Sequence, residues 1–232
     1  MKNILIVGAG KGIGFATAKM LAETNNIFAV TRNETEEFKH LNATKYFLDA
    51  AVDNLDALNN LPEEINGIVY CPGSITLKPF NRLSADDFLK DFNQNVLGAV
   101  RIIQYCLPKL KKANGASVVL FSTVAVQVGM SFHSSIAVAK AGVEGLCKSL
   151  AAELAPNSIR VNAIAPSLTN TSLATALLNT PEKAEAAAKR HPLQRIGTAH
   201  DIAAMAAFLI SENASWITGQ IIHADGGMGV LK

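Results

Sequence analysis

The 232-residue sequence lacks the features that mark several large classes of protein. Its three cysteines are widely spaced, which fits neither a disulfide framework nor a cysteine metal site. No apolar run reaches the length of a membrane-spanning helix, so no membrane partner is expected. Residues 3–7 already have the pattern of a strand, which leaves no room for a signal peptide. These absences predict a cytoplasmic protein.

Charge of either sign is also scarce. The formal net charge is +2, and no run of Lys and Arg is longer than two residues. A nucleic-acid surface needs a denser basic patch, so we expect no nucleic-acid partner. Apolar residues make up 49% of the chain and charged residues 17%, which is typical of a folded core and not of extended disorder. A small-molecule substrate is the expected partner.

Short β-type runs alternate with longer helical patterns through most of the chain. The apolar strands lack polar alternation, which indicates a parallel sheet covered by helices on both faces. The predicted fold is therefore α/β, a Rossmann-like doubly wound sheet, with residues 1–232 in a single domain. The predicted strands are residues 3–7, 27–31, 45–48, 67–71, 117–122, 160–165 and 220–223, and the predicted helices are residues 14–24, 85–112, 136–155 and 201–209.

Two further features qualify this outline. Pro108 lies inside the helix predicted at 85–112 and should kink or end it. Residues 156–192 are the least regular stretch, rich in Ala, Asn and Thr, and are predicted to hold a mobile flap. Within that stretch, residues 182–189 have the pattern of a solvated helix face.

Four glycines, at positions 8, 10, 12 and 14, join the first predicted strand to the first helix. Glycine lets the backbone turn sharply and approach a pyrophosphate, which the N-terminus of the following helix attracts. A tight turn alone would also use glycine, but this strand–helix junction is where a dinucleotide site is expected. The pattern predicts a nicotinamide cofactor.

The end of the second predicted strand indicates which nicotinamide cofactor fits. An NAD site would place a carboxylate there to accept from the ribose 2′-hydroxyl. This chain instead has Thr31 and Arg32, and Lys11 lies in the glycine turn. Two cations suit a 2′-phosphate, so NADP(H) is preferred, with NAD(H) as the alternative if Arg32 is only a solvated charge.

These residues resemble the short-chain dehydrogenase/reductase family, most closely its three-oxoacyl-thioester-reductase-like members. The resemblance covers essentially the whole chain. It implies the Rossmann fold, an oxidoreductase activity and a homo-oligomer, tetramer or dimer, formed through the two long helices. The motifs that carry it are Gly8-x-x-x-Gly12-x-Gly14, Asn95 in NQNVLG, Lys140 with the helix after it, RVNAIAP from Arg160, ITGQ from Ile217 and DGG from Asp225.

The resemblance also implies which residues bind the cofactor. Asp49 and Ala50 would border the adenine, and the segment at Cys71 would pass beside the cofactor. Pro166, Thr169 and Thr171 would lie at its nicotinamide end and pyrophosphate. No metal is implied. The full predicted set is Gly8, Gly10, Lys11, Gly12, Ile13, Gly14, Thr31, Arg32, Asp49, Ala50, Cys71, Pro72, Gly73, Asn95, Lys140, Pro166, Thr169 and Thr171.

The chain departs from the family at the catalytic tyrosine, four residues before Lys140, where it has Ile136. Isoleucine has no exchangeable proton, so the usual proton donation to a developing alkoxide is excluded. Thr123 stands at the family's serine position and keeps a hydroxyl that can bind a carbonyl oxygen. Two other motifs differ: the family's Asn-Asn-Ala-Gly is YCPG here, and its Pro-Gly is Pro166-Ser167.

His133 is a candidate replacement for the missing acid. It precedes Lys140 by seven residues, the spacing of the active tyrosine in the enoyl-thioester reductase branch, and an imidazole titrates near neutrality. The alternative is a partly solvated residue at the start of a helix. The predicted catalytic set is Asn95, Thr123, His133 and Lys140, with Asn95 anchoring a water relay. Tyr70 and Tyr105 are predicted to pack in the core, and His191, His200 and His223 lack metal-ligand spacing.

Two functions remain open from the sequence. The first is an NADP(H)-dependent oxidoreductase that acts on a carbonyl, alcohol or enoyl substrate by hydride transfer. The second is a non-catalytic NADP(H)-binding sensor or complex subunit on the same fold, which would explain Ile136 directly. The hydroxyl of Thr123 together with Lys140 and Asn95 favours the enzyme.

Overall fold

The computed structural model describes residues 1–51 and 54–231. Its strands are β1 Lys2–Val7, β2 Asn25–Thr31, β3 Thr44–Phe47, β4 Gly67–Tyr70, β5 Ala116–Phe121, β6 Ile159–Pro166, β7 Thr169–Asn170, β8 Gly197–Thr198 and β9 Ile221–Ala224. Its α-helices are α1 Gly12–Leu21, α2 Glu36–Lys39, α3 Ala85–Phe92, α4 Gly98–Lys112, α5 Ser134–Leu154, α6 Pro181–Lys189 and α7 Ala199–Ile210.

Seven of these strands form one parallel sheet in the order β3-β2-β1-β4-β5-β6-β9, and β7 pairs with β8 separately. Every ladder of the main sheet is parallel. The doubly wound α/β fold predicted from the sequence is therefore confirmed. All seven predicted strands are present, with ends displaced by two residues at most.

The core lies on both faces of this sheet. On β1, Leu5 and Val7 belong to a cluster that includes side chains of α4 and α5, while Ile4 and Ile6 belong to a second cluster with α1 and α7. Each of these four β1 side chains is at most 1% exposed. Burial of a side chain of this kind contributes about 1.5–3 kcal/mol, so strands with two apolar faces are stable only between two helix layers.

The prediction that Pro108 ends its helix is wrong. α4 continues through Pro108 to Lys112. Pro108 is exposed, whereas Ile102, Cys106 and Leu110 of the same helix are fully buried. The packing of that buried face offsets the hydrogen bond that proline removes. The interruption in the predicted helix 85–112 is instead a π-helical turn, Asn93–Leu97, between α3 and α4.

The predicted irregular flap at 156–192 is more regular than expected, because it contains β6, β7 and α6. The irregular backbone is confined to the connections around β7 and before α6, including a short 3₁₀ turn at Thr175–Leu177. Residues 182–189 are helical as expected, but the helix is not simply solvated. One of its faces covers a cavity, as described below.

The strand order reverses between β1 and β4, where connections leave the sheet in opposite directions. In open α/β sheets, ligands bind outside the carboxyl ends of the strands at this point. The first cavity described below opens there, and the second adjoins it at the carboxyl ends of β4, β5 and β6. Within residues 1–51 and 54–231, no helix is both long enough and apolar enough to cross a membrane.

Candidate active site

The first of two adjoining cavities, of about 360 Å³, lies at the carboxyl ends of β1, β2 and β4. It is the predicted dinucleotide site, since most of the residues assigned to the cofactor from sequence line it. These are Gly8, Gly10, Lys11, Gly12, Ile13, Gly14, Thr31, Arg32, Asp49, Ala50, Cys71, Pro72, Gly73 and Thr171.

The glycine turn has the geometry that a phosphate cradle needs. A Cβ on Gly14 would lie 2.2 Å from the carbonyl oxygen of Gly8, and one on Gly10 would lie 2.3 Å from Thr31 Oγ1. Gly8 has φ +82° and Gly12 has φ +60°, a region that favours glycine. The N-cap residue of α1, Lys11, makes no capping hydrogen bond through its side chain, and the first turn of the helix contains no Asp or Glu. Its free N–H groups therefore suit a pyrophosphate.

Two cations border this cavity, as expected for a 2′-phosphate. Arg32 Nη1 lies 3.5 Å from Asp49 Oδ2, and both side chains are partly exposed. Lys11 forms no ion pair with any residue that the structure describes. An exposed pair at this separation is weak, so Arg32 is available to an incoming phosphate.

The second cavity, of about 460 Å³, contains three of the four predicted catalytic residues, Thr123, His133 and Lys140. Pro166, Thr169 and Thr171, which belong to the predicted cofactor-binding set, also line it. Most of its remaining lining is apolar, and its charged side chains are cations. The other lining residues are Ile13, Cys71, Gly73, Ser74, Ile75, Phe121, Ser122, Val124, Met130, Ile136, Ser167, Leu168, Leu173, Ala174, Leu177, Lys183, Ala186, Ala187, Arg190 and Met228.

Lys140 is buried on α5, and its Nζ donates to the carbonyl oxygen of Phe121 at 2.7 Å. Burial disfavours the ammonium form and lowers the pKa of Lys140 to about 8. Electrostatic interactions with Cys71 and Asp91 oppose that shift. An amine so poorly solvated will bind hydroxyls or an anion brought into the cavity.

Asn95 lies in the π turn and lines neither cavity. Its Nδ2 donates to the carbonyl oxygen of Asp91 at 2.7 Å and to Ser74 Oγ at 3.0 Å. Its Oδ1 is buried without a hydrogen-bond partner among the described residues. A Cβ on Gly73 would lie 3.3 Å from this Oδ1 and 3.8 Å from Lys140 Nζ. Asn95 therefore lies behind Gly73, on the side of the second cavity where Lys140 Nζ also lies. This position is consistent with the predicted water relay.

Asp91 is a buried carboxylate that the sequence analysis missed. It accepts hydrogen bonds from Ser74 Oγ at 2.6 Å, Thr76 Oγ1 at 3.2 Å and Ser135 Oγ at 2.6 Å. The hydroxyls satisfy the carboxylate, which is 0% exposed. It thereby fixes α3 to the start of α5, beside Ile136. The sequence signal that could have indicated it is its position, an acidic residue one helical turn before Asn95.

The position of the family's tyrosine faces the second cavity, where Ile136 is 4% exposed. Thr123 Oγ1 accepts from the Ala125 N–H at 3.3 Å, and its own hydrogen has no acceptor among the described residues. Ser122 differs, because its hydroxyl donates to Glu144 Oε1 at 2.6 Å. Of these two neighbours, it is therefore Thr123 that has a hydroxyl hydrogen left for a ligand.

His133 lies at the N-cap of α5, because the helix begins at Ser134. It therefore lies just before the first helical turn, and it lines the second cavity. Its Nδ1 lies 2.7 Å from the carbonyl oxygen of Ser131. That oxygen can only accept, so Nδ1 carries the hydrogen of the neutral ring.

The two tyrosines considered as substitutes are occupied elsewhere. Tyr70 is 2% exposed, and its hydroxyl donates to the carbonyl oxygen of Gln94 at 2.8 Å. The Tyr105 hydroxyl donates to Asn59 Oδ1 at 3.0 Å. Neither lines either cavity, which supports the expectation of core packing.

A serine–histidine pair was also missed. Ser167 lines the second cavity, and its Oγ lies 2.8 Å from Nε2 of the buried His191. The sequence held one signal for it, since Ser167 stands where the family has glycine. His191 had been set aside for lack of metal-ligand spacing, and no group of three or more potential metal ligands occurs among the described residues.

A family model described as "Enoyl-(Acyl carrier protein) reductase" matches residues 8–229. The chain belongs to the short-chain dehydrogenase/reductase family. The 3-oxoacyl-[acyl-carrier-protein] reductase FabG of Aquifex aeolicus is 33% identical over 98% of this chain and 97% of its own length. Its name and those of the other relatives are those of reductases and dehydrogenases, which supports the prediction of an oxidoreductase.

Solved structures of the family agree with the fold. A structure described as Cj0485 dehydrogenase is 31% identical, with a TM-score of 0.89, and the match covers 100% of this chain and 95% of that one. The structure of ElxO with NADP bound is 26% identical, with a TM-score of 0.89 and 98% coverage of both chains. Both matches cover almost the whole chain and agree with the doubly wound fold described above.

Proposed function

We propose that this protein is an NADP(H)-dependent oxidoreductase that interconverts an alcohol and a carbonyl compound, or reduces an enoyl compound. The observation that carries the proposal is that the two cavities share a wall. Ile13, Cys71, Gly73, Thr171 and Leu173 line both of them. A dinucleotide whose phosphates lie on the glycine turn can therefore reach the second cavity with its nicotinamide end.

The preference for NADP(H) rests on charge. Lys11 and Arg32 border the first cavity, and the end of β2 carries no acid for a ribose 2′-hydroxyl. The fit to a dinucleotide is supported by the glycines that admit no Cβ and by the uncapped N-terminus of α1. The NADP found with ElxO, a structural relative, is consistent with this choice.

The second cavity suggests the class of substrate. Its lining is mainly small and apolar, with Leu168, Ala174 and Leu177 among the residues contributed by the chain after β6. Its cationic side chains are Lys140, Lys183 on α6 and Arg190 directly after α6, and none of its lining residues is Asp or Glu. We propose a modest apolar substrate that carries an anionic group directed towards α6.

The residues of the second cavity divide the chemical work. A bound nicotinamide supplies or accepts the hydride. Lys140 holds ribose hydroxyls through Nζ, and Thr123 donates its free hydroxyl hydrogen to the substrate oxygen. From the sequence, the candidate sources of the proton are His133 and a water held by Asn95 and Lys140. Ile136 has no proton to give and serves only as an apolar wall.

A second function has one observation in its favour. Ile136 is a buried apolar side chain at the position from which the family's tyrosine would act. A non-catalytic NADP(H)-binding sensor or complex subunit needs the first cavity and Lys140, but no acid. The intact Thr123 hydroxyl and the open second cavity favour the enzyme.

The two functions differ in one experiment. NADPH binding is measured by fluorescence titration, and turnover is then assayed over ketones, secondary alcohols, keto and hydroxy acids, and enoyl thioesters. We expect tight binding and turnover that is best with acidic substrates. Tight binding without any turnover would identify the sensor, and an absence of binding to either nicotinamide cofactor would reject both functions.

A homo-oligomer and a cytoplasmic location remain part of the proposal. The α3–α5 region exposes large apolar side chains that a monomer would leave in water. They are Leu89, Phe92, Leu97 and Val138. Light scattering coupled to gel filtration should give the mass of a dimer or tetramer. A monomer at micromolar concentration would contradict the proposed homo-oligomer.

A further inference from the structure

Ser167 and His191 meet at the wall of the second cavity. Ser167 follows β6, and His191 lies in the turn after α6. Ser167 lines the cavity, while His191 lies behind it and is only 2% exposed. Their contact, Ser167 Oγ to His191 Nε2, is 2.8 Å long. A short bond between a cavity hydroxyl and a buried imidazole is the arrangement of a nucleophile or acid with its base.

The hydrogen-bond partners of His191 assign its tautomer. Its Nδ1 lies 2.8 Å from the carbonyl oxygen of Ala187, which can only accept, so Nδ1 carries a hydrogen. In the neutral ring Nε2 is then an acceptor. The hydroxyl of Ser167 is its donor. A buried neutral imidazole with its lone pair directed at a hydroxyl can accept a proton.

Ser167 connects that lone pair to the cavity. Its hydrogen has two acceptors within reach, His191 Nε2 at 2.8 Å and the carbonyl oxygen of Asp225 at 3.2 Å. No described donor bonds to Ser167 Oγ, so its own lone pairs are available. A hydroxyl of a substrate can therefore donate to Ser167 Oγ while Ser167 donates to His191.

We propose that Ser167 and His191 form the proton-transfer pair of this active site, in place of the tyrosine that Ile136 replaces. This rests on the oxidoreductase function proposed above. When an alcohol is oxidised, its O–H proton moves to Ser167 Oγ as the Ser167 proton moves to His191 Nε2. The C–H bond would break as well, and a nicotinamide bound in the first cavity would supply the acceptor for its hydride. Reduction reverses each transfer, and the histidine proton reaches the new alcohol through Ser167.

The charged form of His191 keeps its partners. As an imidazolium it donates from Nδ1 to Ala187 and from Nε2 to Ser167, so neither N–H is left unsatisfied by the transfer. His133 offers less, because no described residue bonds its Nε2 or links it to another cavity hydroxyl. Ser167 is therefore the catalytic residue, and His191 acts through it.

The test compares Ser167→Ala, Ser167→Thr, His191→Asn and His133→Ala with the matched surface controls Ser215→Ala and His200→Asn. Single-turnover hydride transfer and NADPH affinity are measured for each. We expect Ser167→Ala and His191→Asn to slow hydride transfer by about 100-fold or more without weakening NADPH binding. Ser167→Thr, which keeps a hydroxyl, and the controls should retain most of the rate.

A second measurement needs neither substrate nor cofactor. In ¹⁵N-histidine NMR spectra of the ligand-free protein, His191 should carry its proton on Nδ1. The Nε2 resonance should shift in Ser167→Ala, because the hydroxyl donor is removed. A purely structural pair would give the same spectra, but Ser167→Ala would then lower thermal stability and leave hydride transfer unchanged.

The outcomes separate the two proposals. A wild type that turns over while Ser167→Ala and His191→Asn remain at full speed overturns the pair alone, as does a loss confined to His133→Ala. A neutral His191 protonated on Nε2 also overturns it. A wild type that binds NADPH without turning over any substrate, or that does not bind NADPH, overturns the oxidoreductase and the pair together.

Discussion

Lys140 Nζ donates a hydrogen bond to the carbonyl oxygen of Phe121 at 2.7 Å, which ties the middle of the site to the last residue of β5. This one contact holds a buried amine beside Gly73, on the wall shared by the two cavities. A single carbonyl solvates an ammonium poorly. That is the reason for the lowered pKa of Lys140 and for its capacity to bind ribose hydroxyls.

The first prediction concerns the pH dependence of stability in the ligand-free protein. The pKa of Lys140 is about 8 when folded and 10.5 as a free side chain. Between these values the unfolded chain binds more protons, so this group raises the free energy of unfolding as pH rises. In urea unfolding, the free energy of unfolding of the wild type minus that of Lys140→Met should increase by up to about 3 kcal/mol from pH 7 to pH 10.

Taking the difference from Lys140→Met removes other titrations from this measurement. Burial raises the pKa of the Cys71, Cys106 and Cys147 thiols, which lowers stability as pH rises above the ordinary thiol value. These groups occur in both proteins. Because Cys71 interacts with Lys140, the pair is also compared in a Cys71→Ala background. A difference that stays flat with pH would show that Lys140 is solvated.

The second prediction restores the missing phenol. Ile136 lies one helical turn before Lys140 and faces the second cavity, so a tyrosine there can extend into open space. We expect Ile136→Tyr to raise NADPH-dependent carbonyl reduction by about 100-fold, the usual contribution of a placed acid. Ile136→Phe is the matched control, since it adds the ring without the hydroxyl. Equal rates in both variants would contradict a role for the proton at this position.

The third prediction concerns cofactor choice. Arg32 borders the first cavity, and its contact with Asp49 is too exposed to hold the fold. Arg32→Ala should weaken NADPH binding by about tenfold, because a charge-assisted hydrogen bond to a phosphate is lost, and should leave NADH binding unchanged. Fluorescence titration measures both. The surface control is Arg82→Ala, and equal losses for the two cofactors would remove Arg32 from the phosphate site.

The fourth prediction concerns the glycine turn. In Gly14→Ala, the new methyl group would lie 2.2 Å from the carbonyl oxygen of Gly8, so the turn must shift. We expect a loss of about 1–3 kcal/mol of stability, as for other overpacked sites, together with weaker NADPH binding. Calorimetry and titration report the two effects. Gly129→Ala is the control, since a Cβ there has no neighbour within 4 Å.

The sequence alone determined the fold and the first cavity, because both depend on local patterns. Runs of apolar residues without polar alternation require a sheet covered on two faces, and the ends of those runs located the strands within two residues. The glycines between Val7 and Phe15 dictate a turn that other residues cannot adopt without strain or a clash. The residues predicted around that turn therefore came together as expected.

Tertiary structure decided the rest, because it depends on contacts between distant segments. Pro108 lies inside α4 since the opposite face of that helix is buried, which no local rule shows. Asp91 and Ser135, 44 residues apart, meet only when α3 packs on α5. Ser167 and His191, 24 residues apart, meet only when the turn after α6 returns to the end of β6. No local pattern in the sequence marks these polar side chains, and they form hydrogen-bonded pairs only because folding buries them together.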